Sequence, residues 1–183
     1  MVSNSAPGEL ETVREFINTL NVEEGTDSIA DPEGLRRWML EAGLISRGTQ
    51  VSDNDVSNTI RLREALRDAA LANNGAEHDP RAVRVMEDAA RRSDLAVGFA
   101  MRDGAPSAVV TSRSKGVSAG LGRLLSIVAE SMRTGTWERL KACESDECQW
   151  AFYDNARNRS GRWCDMAVCG NRMKARAYRA RNA

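Results

Sequence analysis

A mainly α-helical protein with a small β-hairpin, ending in a compact cysteine-organised module, is the fold class this sequence predicts. Three observations predict it. Apolar residues recur at three- and four-residue intervals through most of residues 9–132. Residues 95–111 switch to the alternation of strands around an Asp103-Gly104 turn. All four cysteines, Cys143, Cys148, Cys164 and Cys169, fall in the last quarter of the 183 residues. The expected division is a helical domain over residues 1–140 and a cysteine module over residues 141–183.

The helices follow in order. Leu10, Val13, Phe16, Ile17 and Leu20 make one apolar stripe over residues 9–20. Asp31-Pro32-Glu33 opens a second helix with an N-cap, a proline at the first helical position and an early acid; Leu35, Trp38 and Met39 follow, and Gly43 stops it. A longer helix over residues 53–73 turns Val56, Ile60, Leu66 and Ala70 to one face before Asn73-Asn74-Gly75 ends it. Asp79-Pro80 starts another, with Val83, Met86, Ala89 and Ala90 inward and an end near Ser93. After the hairpin, Val117, Leu121, Leu124, Leu125, Val128 and Met132 mark one more helix, closed by Thr134-Gly135-Thr136. Its glycines, Gly116, Gly120 and Gly122, lack dinucleotide or phosphate-loop spacing and read as flexibility at the helix start.

Composition narrows the class. With 42% apolar residues the chain can bury a core, and no cysteine precedes residue 143, so no disulfide staples it. No apolar run approaches the roughly 20 residues that cross a bilayer, and Met1-Val2-Ser3-Asn4-Ser5 lacks the basic start of a signal peptide. A cytoplasmic protein without membrane contact is expected. Formal net charge is zero, yet from residue 155 onward eight bases face the single acid Asp165. That end therefore carries +7 and the rest −7, the asymmetry of a basic module that meets a polyanion.

The cysteines fall in two pairs with four residues inside each and fifteen between. In a reducing compartment this is the pattern of metal ligands, with two disulfides in a secreted form as the alternative. A tetrahedral zinc takes four thiolates at roughly 2.3 Å, and two knuckles bring them together without a large core. Four thiolates leave no position for a reacting water, so the zinc is structural, contributing folding energy of order ~10 kcal/mol. The expected order is knuckle, β-hairpin, helix, a treble-clef-like module. The hairpin is expected between the two cysteine pairs, with Trp150, Phe152 and Trp163 as its apolar core. Loss of Cys143 is then expected to unfold the tail and spare the body.

No catalytic constellation stands out. His78, the only histidine, sits in a polar loop between Glu77 and Asp79, and the acids Glu23, Glu24 and Asp27 read as surface residues. The basic end carries the functional signal instead. Arg157, Arg159 and Arg162 lie in a loop flanked by aromatics. In the final helix Arg172, Arg176 and Arg179 share one flank, Lys174, Tyr178 and Arg181 the other, and Met173, Ala177 and Ala180 form a narrow strip that packs on the hairpin. Guanidinium groups suit phosphate oxygens and guanine edges.

Cys-x4-Cys, the aromatic hairpin, the Arg-x-Arg loop, Arg162-Trp163-Cys164 and the closing Cys169-Gly170-Asn171-Arg172 resemble the CGNR zinc-finger family, over about residues 141–181. The resemblance implies zinc at the four cysteines and nucleic acid at the basic loop and helix. The preceding part is similar to the ABATE-type domain of bacterial stress-induced transcription regulators. Glu15-Phe16-Ile17-Asn18-Thr19-Leu20 resembles its opening Asp-Phe-Val-Asn-Thr, with Glu15 where aspartate is usual, and Leu62-Arg63-Glu64-Ala65-Leu66 resembles its central helix. That resemblance implies a regulatory, ligand-sensing role for residues 1–140.

The expected protein is thus a bacterial, non-enzymatic transcription regulator of the stress response. A small-molecule effector would be received by the body, with Phe16, Asn18 and Trp38 as candidate ligand-binding residues. DNA is favoured over RNA as the partner, and a homodimer suits paired half-sites. With about five phosphates neutralised, the salt slope of binding is expected at roughly −4 to −5. The alternatives are an RNA-binding protein, or a finger that docks on protein beside a body that binds small molecules.

Overall fold

The computed structural model describes residues 5–102 and 104–182. Met1-Val2-Ser3-Asn4, Ala183 and Asp103 of the expected turn lie outside the described residues, as do the side chains of Arg102 and Ala177. The protein is mainly α with three separate two-stranded antiparallel sheets among the described residues. No helix of the described residues is long and apolar enough to cross a membrane.

Helix α1 (Leu10–Ile17) buries Leu10, Val13, Phe16 and Ile17. It stops before Leu20, because Leu20 leaves the helix to pair with Asp27 in a short ribbon of β1 (Leu20–Asn21) and β2 (Thr26–Asp27). The periodicity gave no sign of this ribbon, which turns through Gly25 at φ +65°. Helix α2 (Pro32–Glu41) is capped by Asp31, whose carboxylate accepts from the Gly34 amide at 2.8 Å, and Gly43 turns the chain away at φ +67°. Helix α3 (Asp53–Ala72) starts at a reciprocal capping box of Ser52 and Asp55. Its inner face carries Val56, Leu62, Leu66 and Ala70, and also two fully buried arginines, Arg63 and Arg67.

Helix α4 (Pro80–Arg92) packs against α3 through Ala82 and Ala89, while Val83, expected inward, is exposed. Small side chains at the contact let the two helices approach. Strands β3 (Leu95–Arg102) and β4 (Ala105–Ser112) pair throughout, from Leu95 with Ser112 to Arg102 with Ala105. Helix α5 (Gly116–Arg133) then returns through the core with Val117, Leu121, Leu124, Leu125 and Val128 buried, whereas Met132 points to solvent. Two of its glycines have a packing role instead of the flexibility the sequence suggested. A Cβ on Gly120 would collide with the Met39 side chain and meet the Leu44 carbonyl oxygen at 3.1 Å. One on Gly122 would lie 2.7 Å from Ser112 Cβ and 3.0 Å from Ser93 Cβ. The helix lies close to its neighbours because these positions lack side chains.

The core runs on past residue 140. A 3₁₀ turn, Trp137–Arg139, leads into β5 (Leu140–Ala142), which pairs with β6 (Ala151–Tyr153). Trp137, Leu140, Ala142, Ala151 and Tyr153 belong to the same buried cluster as Phe16, Leu66 and Leu124. The hairpin expected between the two cysteine pairs therefore encloses the first pair instead, with Cys143 and Cys148 in the connection between β5 and β6. A π turn, Met166–Gly170, and helix α6 (Asn171–Arg181) complete the chain.

Candidate metal centre and basic surface

The four cysteine sulfurs lie within 4.8 Å of one another. Cys148 Sγ is 3.6 Å from Cys164 Sγ, which is 3.7 Å from Cys169 Sγ. Disulfide sulfurs would be about 2.05 Å apart, and none of the four cysteines is so bonded. Four sulfurs at about 2.3 Å around one centre stand about 3.8 Å apart, so the observed spacings fit a tetrahedral zinc. Local backbone sets them up. Cys143 donates its amide to the Trp150 carbonyl at 3.0 Å, Cys148 to that of Ser145 at 2.9 Å, and Gln149 takes φ +50° to turn the knuckle back into β6.

Left to themselves, four thiols at this spacing cannot all ionise. Hydrogen bonds from Cys148 and Cys164 pull the Cys143 thiol far below its ordinary range, and their bonds to Cys143 push those two up. Burial, followed by the neighbouring sulfurs, pushes Cys169 up to about 12. A dication among the sulfurs is what lets all four become thiolates. Cys143, Cys148, Cys164 and Cys169 hold a structural zinc, and with four sulfur ligands its coordination is closed.

The second pair sits on the turn that starts α6, and the tetrapeptide from Cys169 to Arg172 builds that turn. Asp165 accepts from the amides of Ala167 at 2.7 Å and Val168 at 3.0 Å. A Cβ on Gly170 would meet Met166 Sδ at 2.5 Å, so a larger residue would have to displace the Met166 side chain from the turn. Asn171 donates to the Ala167 carbonyl at 3.0 Å. Arg172 pairs with Glu23 of the β1–β2 ribbon at 2.6 Å and with Glu147 of the knuckle at 3.7 Å. Cysteine therefore supplies the ligand, glycine the close approach, asparagine the closure and arginine the tie to the body.

A polar seam fastens the knuckle to the helices. Buried Arg67 donates to the Ile17 carbonyl at 2.7 Å and to the Gln149 carbonyl at 2.9 Å, while Glu64 holds its Nε at 3.0 Å. Arg63 beside it reaches Glu64, Asp27 and Thr19. Asn18 meets Ala151 with both ends of its amide, at 2.7 and 2.9 Å, as a strand partner would. Asn73 donates to the carbonyls of Trp137 and Leu140, and Asn74 to those of Ala142 and Arg162. None of these contacts was read from the sequence, where Asn73-Asn74 registered as a helix stop.

The arginine loop hangs from a buried ion pair. Lys141 Nζ lies 2.8 Å from Asp154 Oδ2 and also reaches the Arg159 and Gly161 carbonyls. Asp154 in turn accepts from the amides of Ala156 and Gly161. Burial pushes the Asp154 carboxyl up, but Lys141 and those two amides outweigh it and hold the group below the usual carboxylate range.

The expected nucleic-acid residues divide into two sets. Arg159 pairs with Glu138 at 2.8 Å, Arg162 with Glu144 while lying 5.6 Å from the Trp163 ring, Arg172 with Glu23, and Arg176 with Glu147 at 3.8 Å. Among the described residues no acid lies within 4.0 Å of Arg157, Lys174, Arg179 or Arg181, all of them exposed. Helix α6 projects further than its apolar strip suggested: Met173 is half-buried and Ala180 exposed. Of the expected ligand residues, Phe16 is fully buried with its ring 5.3 Å from that of half-buried Trp38, and Asn18 belongs to the seam. A cleft of about 670 Å³ opens elsewhere, between Asn74 and Ala76 of the body and Arg159, Ser160 and Arg162 of the loop.

A four-thiolate knuckle followed by a helix makes the C-terminal end a zinc finger, and residues 139–182 match the family model described as CGNR zinc finger. Residues 11–133 match the ABATE model, described as "putative stress-induced transcription regulator". The chain belongs to the ABATE family and carries a CGNR zinc finger. A search of the curated proteins gives no match.

Two outcomes follow for the seam and the loop. Arg67→Ala leaves the Ile17 and Gln149 carbonyls without their donor and Glu64 without one cation, and should cost roughly 3–5 kcal/mol in urea unfolding. The Asp154 carboxyl has a depressed native pKa, so its contribution is present above the unfolded value of about 3.9 and is lost as pH falls through the native value. The stability difference between the native protein and Asp154→Asn should therefore be largest near neutrality and shrink below about pH 4, as read from denaturation midpoints across pH.

Proposed function

We propose that the protein is a DNA-binding transcription regulator in which the zinc finger engages the duplex and the helical body, residues 1–140, receives a signal. The observation that carries the reading is the eight bases against one acid beyond residue 154, gathered on a loop and a projecting helix at the zinc centre. Arg157, Lys174, Arg179 and Arg181 are ready to meet phosphates. Arg159, Arg162, Arg172 and Arg176 join them only by exchanging Glu138, Glu144, Glu23 and Glu147 for phosphate oxygens. Phosphate contacts fix position along the groove, and any arginine contact to a guanine edge adds selectivity. The division at residues 140 and 141 is then one of function, since the core is shared.

Two of the paired acids, Glu23 and Glu138, belong to the body and would give it a means of control over Arg172 and Arg159. A solute seated in the cleft beside Asn74, Arg159 and Arg162 touches both parts at once, and its binding would shift the loop that presents Arg157. Exposed Tyr178, between Lys174 and Arg181 on the outer flank of α6, favours a second reading in which an unpaired base of RNA stacks on its ring. Competition between duplex DNA and structured RNA separates the two.

Affinity for a DNA duplex should fall with salt at a slope of roughly −4 when the four unpaired cations each neutralise a phosphate. Fluorescence anisotropy across a potassium chloride series checks this, and a flat dependence contradicts the proposal.

A further inference from the structure

Beyond the finger, the body carries a surface that neither the zinc centre nor the basic helix uses. Of the whole chain, 28% of residues are charged, yet residues 95–101 and 105–112, which make up both strands of the β3–β4 hairpin up to Arg102, contain no charged side chain. The pairing Val97↔Val110, Phe99↔Ala108 and Met101↔Pro106 places these six residues on one face. That face is turned to solvent: Val97 is 69% exposed, Phe99 81%, Met101 67% and Val110 37%. The opposite face has Gly98 and Val109 paired, both half-buried. Among the described residues the sheet has two strands and no third beside either edge. Exposed apolar strands without charge or bulge invite association, and folded proteins blunt them unless they are used.

The geometry points to this face as the contact between two copies of the chain, packed hairpin on hairpin across a two-fold axis. The register supplies the self-complementarity that such an axis requires. Within each sheet the large Phe99 stands opposite the small Ala108, so every copy presents one projection beside one hollow. A half-turn sets the Phe99 of each copy over the Ala108 of the other. An uncharged face also has no counterpart in the acidic body or the basic helix, which leaves an equally apolar surface as its match. Phe99 alone offers roughly 150–200 Å²; with the exposed parts of the other five positions the face offers on the order of 500 Å² per copy, so two copies remove on the order of 1,000 Å² from water, the lower bound for a specific interface. Such a dimer would also carry two fingers on one two-fold axis.

Light scattering coupled to size exclusion tests this on the full zinc-loaded protein at about 50 μM. The native chain should elute with twice its 20.1 kDa mass. Phe99→Glu should elute as the single chain, with its dissociation constant raised at least about 100-fold and its zinc content and circular dichroism unchanged, because Phe99 makes no core contact that folding needs. A monomeric native protein overturns the proposal, and does so in favour of a lipid surface if Phe99→Trp emission shifts to the blue on phosphatidylcholine vesicles. A dimer that persists in Phe99→Glu overturns it as well, by placing the contact elsewhere.

Discussion

Four sulfurs held within 4.8 Å are the constraint on which the C-terminal end depends. They come from two turns sixteen residues apart that share little apolar surface of their own: Trp150, Trp163 and the cysteines themselves make up the small cluster around the site. Without a cation between them, four sulfurs this close cannot all carry charge. As thiolates around a dication they fasten the knuckle to the turn that starts α6, while the arginine loop is held by Lys141 and Asp154. Helix α6, with every described side chain from Lys174 onward exposed, has few other anchors: the zinc turn at its first residues and the ion pairs of Arg172 and Arg176.

The second constraint is polar and buried. Arg67, Asn18, Asn73 and Asn74 donate to backbone carbonyls on both sides of the line between helices and finger, while Arg63 ties Glu64, Asp27 and Thr19 on the body side, and removing such a donor leaves a shielded acceptor short of its partner. The hairpin around the first cysteine pair is thus a strand element of the body's core as well as the base of the zinc site. The finger is joined to α1 and α3 by single hydrogen bonds of 2.7–2.9 Å. Leu140, Ala142 and Ala151, in the strands on either side of the first cysteine pair, belong to the body's core.

Much of the fold was legible because caps, periodicity and turn residues agree with one another. Asp31-Pro32 and Asp79-Pro80 mark helix starts to within a residue or two, and the cysteine spacing located the zinc site. The misses have a common cause. The β1–β2 ribbon, the inward arginines of α3 and the strand-like pairing of Asn18 all depend on contacts between segments far apart in the chain, and a polar residue that satisfies a distant carbonyl looks in sequence like one that faces water. Gly120 and Gly122 were misread for a related reason, since what excludes a side chain there is Met39, Leu44, Ser93 and Ser112, none of them nearby in sequence. On the basic surface, charge counting found the eight cations but not the four acids that pair with half of them.

X-ray absorption at the zinc edge tests most directly whether one closed four-sulfur centre organises this end of the protein. One zinc per chain with four sulfur scatterers at about 2.3 Å, and no nitrogen or oxygen in the shell, is the result the account predicts. A purified, folded chain without stoichiometric zinc, or a shell in which a lighter atom replaces one of Cys143, Cys148, Cys164 and Cys169, would contradict it.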